Sequence, residues 1–284
     1  MSAKKAIEIL GSVLAFSGVV FILSQLISYV NQLGFDKLNL TQWFYLFVLC
    51  AIYSMISVFL ALAWHALLQK YELNVGWRWA VYIYGKTQII KYVPGNIFHL
   101  ASRQAEGQQA GLPASPLAKT VMWEILCIAS AALPFAPILL TQFGLTITLS
   151  GCLALFVLAA VEFTWFKANI FLFKATGLYL GFLLCSGLLF YFLTLISTTI
   201  NLQDWELIIV FPSIYIVAWL AGFITPGAPA GLGVRELVLI FFTTNYLSEA
   251  EVITLIILSR FSTGLGDTLF FFWTRPFKTS NKIL

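Results

Sequence analysis

The chain has 284 residues, of which 60% are hydrophobic and only 10% charged, with a formal net charge of +4 and a mean hydropathy of +0.91. A soluble domain carries charge on about a quarter of its residues, so this composition excludes a water-covered globule. It also offers no strongly basic surface for a nucleic acid. What remains is an integral membrane protein.

In chain order, the first hydrophobic run, Ala6 to Val30, follows Lys4 and Lys5. Its apolar stretch exceeds the roughly 7–15 residues of a signal-peptide core, which predicts a membrane span. The next, Trp43 to Leu68, contains no Asp, Glu, Lys or Arg. A bilayer core about 30 Å thick is crossed by about 20 apolar helical residues. The full set of expected spans is 6–30, 43–68, 117–140, 146–166, 176–198, 207–225, 225–247 and 251–273. The expected fold is therefore all-α, a polytopic bundle of about eight transmembrane helices forming one domain over 1–284. With the amino terminus in the cytoplasm, Lys4, Lys5, Lys70, Arg78, Lys119, Lys167, Lys174, Arg275, Lys278 and Lys282 all fall inside and Lys37 outside. The bias of Lys and Arg toward cytoplasmic loops then predicts cytoplasmic termini. The four cysteines, Cys50, Cys127, Cys152 and Cys185, lie within spans without metal-ligand or disulfide spacing, so they are expected to be packing residues.

Two segments break the pattern. Segment 77–116 opens on Trp77-Arg-Trp-Ala-Val-Tyr-Ile-Tyr, an interfacial composition. Lys86, Lys91, Pro94-Gly95, His99 and Arg103 follow. Its apolar pieces are too short to span. A re-entrant helix pair over 79–105, broken at Pro94-Gly95, fits, and so does an amphipathic helix lying on the surface. The second break is at 225–247. Val234 to Leu247 would be only about 21 Å long at 1.5 Å per residue. The missing length falls on Thr225 to Gly233, which carries Pro226, Gly227, Pro229, Gly231 and Gly233. Irregular backbone at membrane depth is tolerated only where protein buries it or it lines a wet cavity.

The two breaks resemble each other. Arg103 follows Pro94, and Arg235 follows Pro226, at the same nine-residue distance, with Glu106 and Glu236 nearby. Paired Pro/Gly interruptions in corresponding halves point to a transporter-type site. They are compatible with an internal repeat of halves near 1–140 and 141–284, either parallel or inverted. Arg235, Glu236, Arg260, Asp267, Glu124 and Glu162 all lie in or beside spans, where a charge costs about 2.5–3.5 kcal/mol unless partnered. Glu162, near a span end, reads as structural. Glu124 reads equally as a salt-bridge partner of Arg103, Arg235 or Arg260 and as a direct participant. Lys91, Arg103, Arg235 and Arg260 form a candidate phosphate-binding set, supported by Glu124, Glu236 and Asp267. Arg forks and helix starts both suit phosphate, although Lys86 and Lys91 could equally touch headgroups. With no P-loop, metal cluster or His-based triad, no cofactor, metal or enzymatic activity is expected.

Thr225-Pro-Gly-Ala-Pro-Ala-Gly-Leu-Gly-Val-Arg-Glu-Leu resembles the signature of the lysylphosphatidylglycerol synthase transmembrane-domain family, whose strongest mark is a Pro-Gly-Gly-Leu-Gly-Val-Arg-Glu-type string. Lys91-Tyr-Val-Pro-Gly-Asn, with Arg103 and Gly111 behind it, resembles that family's upstream motif, and Glu124 falls where its intramembrane acid is expected. The chain departs from the pattern at Ala228-Pro229-Ala230. The resemblance implies a stand-alone flippase-like domain in a bacterial or archaeal cytoplasmic membrane. It lacks the aminoacyl-transferase domain of the multiple peptide resistance factor. The implied partners are membrane lipids, and stand-alone relatives are also linked with glycosyltransferases acting on polyprenyl-phosphate sugars. The resemblance does not settle the substrate, an anionic phospholipid or a polyprenyl-phosphate-linked sugar. Alternatives are a non-catalytic partner of a lipid-modifying enzyme and a proton-coupled small-solute transporter. Homo-oligomerisation stays open.

Overall fold

The computed structural model describes residues 24, 27, 28, 39–93, 98–198, 204–225 and 227–278. The expected first span, 6–30, and the two chain ends fall almost wholly outside these. So do Pro94, Gly95 and Pro226 of the broken-helix motif.

The described elements are helical. They run α1 Leu40–Lys70, α2 Trp77–Gln88 continuing as a 3-10 turn Ile89–Tyr92, α3 Phe98–Gln109 and α4 Ala114–Ala132. After 3-10 turns at Leu133–Phe135 and Pro137–Phe143 come α5 Ile147–Ala168, α6 Ile170–Ser197 and α7 Leu207–Ile224. A 3-10 turn Pro229–Gly231, α8 Val234–Thr243 and α9 Glu249–Trp273 complete the bundle. Six of them, α1, α4 with its extension, α5, α6, α7 and α9 with its extension, are long and apolar enough to cross a membrane. The expected crossing at 225–247 is replaced by a broken stretch and a ten-residue helix. Gly227, Gly231 and Gly233 adopt positive φ there, a backbone that no helix can carry through.

Local sequence sets the ends. Asn39 and Gln42 cap α1 reciprocally, at 2.8 and 2.9 Å, and Asn39 supplies the side-chain acceptor that a first turn lacks. Asn169 separates α5 from α6, its side chain accepting from the Phe171 amide. Ser248 and Glu251 box the start of α9.

α1 and α6 form the central pair, flanked by α9, α7 and α4, while α5 lies outermost. Close helix approach rests on small residues, as membrane bundles require where apolar burial gives no selectivity against lipid. A Cβ on Gly266 of α9 would stand 2.6 Å from the Tyr53 ring of α1, and one on Gly85 would stand 2.3 Å from Thr274 Oγ1. A Cβ on Gly187 of α6 would stand 3.0 Å from Pro212 of α7.

Call the end where α1 begins the upper end and the end where it finishes the lower. Gln42 donates to the Ile196 carbonyl at the upper end. At the lower end Trp123 donates to the Tyr71 hydroxyl, and Trp77 packs on Phe277. Lys70 and Lys119 lie over the Tyr71 ring, Arg78 over Trp77 and Arg275 over Phe271, so a cationic and aromatic belt gathers there.

α2 and α3 form a helical hairpin that opens at the lower end and reaches into the bundle. α2 buries Trp79, Ala80, Val81, Ile83 and Tyr84 against α1 and α9, so it does not lie on the surface. α7 and α8 form a second hairpin from the opposite end. Tyr246, just past α8, packs its ring at a tilt against Phe211 near the start of α7, and its hydroxyl accepts from Gln142 at 2.7 Å. The tip of this hairpin stops partway, held by Arg260, while α9 runs on to Trp273 at the lower end. The two tips, Ile89–Tyr92 and Pro229–Gly231, pack against each other.

Candidate functional site

A cavity with an empty volume of about 500 Å³, open space at its mouth included, lies where the hairpin tips meet. The lower hairpin lines it with Tyr84, Gln88, Lys91, Tyr92 and His99. The upper one contributes Trp219, Gly222, Phe223, Ala230 and Arg235, and α9 adds Arg260 and Thr263.

The upper tip folds as it does for a steric reason. Gly231, at φ +72, sits on Gly222 of α7, and a Cβ there would come within 2.6 Å of the Gly222 Cα. Only two glycines allow the return arm to turn so close to α7. The chain then restarts as α8, with Glu236 accepting from the Gly233 amide at 2.7 Å. Arg260 clamps the whole turn. It pairs with Glu236 and donates to the carbonyls of Ala230 at 2.9 Å and Gly231 at 3.0 Å. The expected phosphate-binding Arg260 is thus largely occupied in holding broken backbone, although its side chain still faces the cavity.

Lys91 reaches Asp267 at 2.8 Å. Tyr92 donates to the same carboxylate oxygen at 2.6 Å. Asp267 therefore anchors the lower tip to α9 as Glu236 and Arg260 anchor the upper one.

Arg235 differs from both. It is 7% exposed, and among the described residues no carboxylate lies within ion-pair distance of it; the four pairs are Lys86–Glu106, Lys91–Asp267, Arg103–Glu124 and Arg260–Glu236. Its Nε has no hydrogen-bond partner there. The guanidinium rests over the rings of Tyr215 and Trp219, at 5.6 and 5.9 Å, and ring faces favour a cation without neutralising it. Among the described residues, three cations thus line the cavity against two partner carboxylates, which leaves one positive charge uncompensated there.

Arg103 and Glu124, expected at the same site, are elsewhere. Arg103 is 2% exposed, does not line the cavity, and donates to Glu124 at 3.0 Å. Tyr84 donates to the same Glu124 oxygen at 3.1 Å, and the guanidinium lies 4.2 Å from the Tyr84 ring centre. Of the three arginines open as partners for Glu124, the structure selects Arg103. Lys86 is likewise taken up by Glu106, at 2.6 Å. His65 donates from Nε2 to the Val75 carbonyl, 2.9 Å away, at the lower end of α1. Glu162 keeps both carboxylate oxygens buried without a hydrogen-bond partner among the described residues.

Tyr92, Gln88, Trp219 and Tyr215 carry no sequence signal that singles them out. Tyr92 sits inside the Lys91-Tyr-Val-Pro-Gly string, where its neighbour's charge is the stronger mark. Trp219 and Tyr215 lie in a run that reads as an ordinary apolar span, and only packing brings them under Arg235. No family model matches the chain, and no curated protein matches it.

Proposed function

We propose that this protein is a flippase-like lipid transporter of the lysylphosphatidylglycerol synthase transmembrane-domain type, in which the phosphate of an anionic lipid binds at Arg235 between two re-entrant hairpins. The observation that carries this reading is the uncompensated cation in a cavity built from two hairpin tips that enter from opposite ends. A buried charge without a partner is expensive, and a phosphate would complete it. Broken backbone at depth is also what a site lined by discontinuous helices requires. The opposed entry of the hairpins favours an inverted over a parallel repeat. The belt of Lys and Arg at the lower end favours a cytoplasmic lower face.

The test is reconstitution into liposomes with short-chain fluorescent anionic phospholipids, followed by headgroup quenching. Arg235→Ala is expected to slow translocation about tenfold or more, the loss that corresponds to one charge-assisted contact of roughly 1.5–3 kcal/mol. An unchanged rate across phosphatidylglycerol, phosphatidic acid and polyprenyl phosphate would sink the site. A non-catalytic partner of a lipid-modifying enzyme would show no translocation in the wild type.

A further inference from the structure

Lys91 and Asp267 are placed as an exchangeable pair. Lys91 lines the cavity and Asp267 does not. The Asp267 side chain is 0% exposed and stands behind the ammonium, 2.8 Å away. An anion entering beside Arg235 therefore competes with Asp267 for Lys91. A lysine head on a flexible four-carbon stem can turn from one to the other.

The charge count distinguishes one anion from another. The cavity holds one uncompensated positive charge, so a singly charged anion neutralises it. A doubly charged one leaves a negative excess in a buried site, and draws Lys91 away from Asp267. Asp267 would then keep only the Tyr92 hydroxyl on one oxygen. Its other oxygen, Oδ1, has no hydrogen-bond partner among the described residues. A buried carboxylate without a cation is relieved most cheaply by a proton. Tyr92 suits both forms, since its hydroxyl donates to a carboxylate and accepts from a carboxylic acid.

Among the described residues the surroundings offer no other compensation. Lys91 and Tyr92 face Asp267 from the lower tip, and Tyr53 approaches from α1. Tyr215 is near on α7, Arg235 lies beyond on α8, and Arg260 is further along α9. Neither α2 nor α6 carries a carboxylate, and Arg260 is already committed to Glu236.

We propose that the cavity takes up a doubly charged phosphate-type anion together with one proton from solution, and that Asp267, released by Lys91, holds that proton. The inference rests on the proposed anion site and adds the coupling ion. The phosphate could belong to a lipid monoester headgroup or to a free anion.

The test is proton uptake on binding, by calorimetry of the full-length protein in detergent in buffers of different ionisation enthalpy. One arm uses sulfate, which keeps its double charge throughout and cannot itself account for a proton. The other uses dihexanoyl phosphatidic acid. The expected result is about one proton taken up per anion in at least one arm, with affinity falling up to about tenfold per pH unit on the alkaline side. Asp267→Asn should bind with no uptake. Tyr92→Phe, a milder change should the first variant not fold, should move the pH midpoint while keeping the uptake.

Binding without uptake in the wild type overturns the proposal, as does uptake unchanged in Asp267→Asn. Uptake that disappears in His99→Gln, the cavity's histidine, and persists in Asp267→Asn also overturns it. No binding in either arm overturns both this and the anion site. Sulfate binding with uptake and no lipid binding keeps the proton coupling and defeats the lipid reading. Lipid translocation without uptake does the reverse.

Discussion

Arg103 and Arg235 occupy the same place in two similar sequence motifs, nine residues after Pro94 and Pro226, yet their environments are opposite. Arg103 is closed off by Glu124, Tyr84 and Trp64. Arg235 lies on two aromatic rings at the edge of a cavity, with no carboxylate within ion-pair distance among the described residues. The difference lies in what each hairpin packs against. The lower hairpin meets α4, which brings Glu124, whereas Arg235 faces the other arm of its own hairpin, α7, whose Leu207–Ile224 stretch has no acid to offer. Equal spacing places a cation; the neighbouring helix decides whether it is structural or available.

The largest effect should come from breaking the closed pair. Glu124→Gln leaves Arg103 buried with its charge uncompensated and is expected to destabilise by about 3–5 kcal/mol, read as a lowered midpoint of unfolding in detergent. The double change Arg103→Leu with Glu124→Leu should recover most of that loss and keep lipid translocation, because neither residue lines the cavity. If the double variant stayed as unstable as the single one, or lost transport, Arg103 would belong with Arg235 after all.

Next in size is the turn that sets Arg235 in place. Gly231→Ala puts a Cβ against Gly222 at positive φ, and roughly 1–3 kcal/mol of strain is expected, with transport falling alongside stability. Lys86→Ala should matter less. Its pair with Glu106 is partly exposed, at 23% and 14%, and such pairs contribute about 1 kcal/mol or less. The smallest loss of stability is expected at Arg235→Gln, which removes a buried cation that has no partner carboxylate among the described residues and should be neutral or stabilising, although this variant should lose anion response. An Arg235 change as destabilising as Glu124→Gln would erase the contrast between the two.

Much of the fold is legible in the sequence. Long uncharged runs mark spans because the bilayer imposes their length, and five of the expected apolar segments return as the helices α1, α5, α6, α7 and α9, of which α7 is an arm of the upper hairpin. α4 begins as expected but gives way to 3-10 turns at Leu133 and Pro137, where Pro134 and Pro137 each remove a backbone donor. The pairing of acids with cations is not legible. Asp267 and Lys91 are far apart in the chain, and no periodicity says that a helix end from one hairpin stops beside the last span.

By itself the sequence determined a helical membrane bundle with two interruptions, because hydrophobic length and the Pro and Gly content are local properties. It grouped Lys91, Arg103, Arg235 and Arg260, with Glu124, Glu236 and Asp267 in support, as one candidate set around those interruptions. Only the tertiary structure decided that the interruptions are opposed hairpin tips, that Arg103 and Glu124 neutralise each other outside the cavity, and that Arg235 alone faces it unpaired among the described residues. Charge compensation depends on distances of a few ångströms across helices, which chain spacing does not encode.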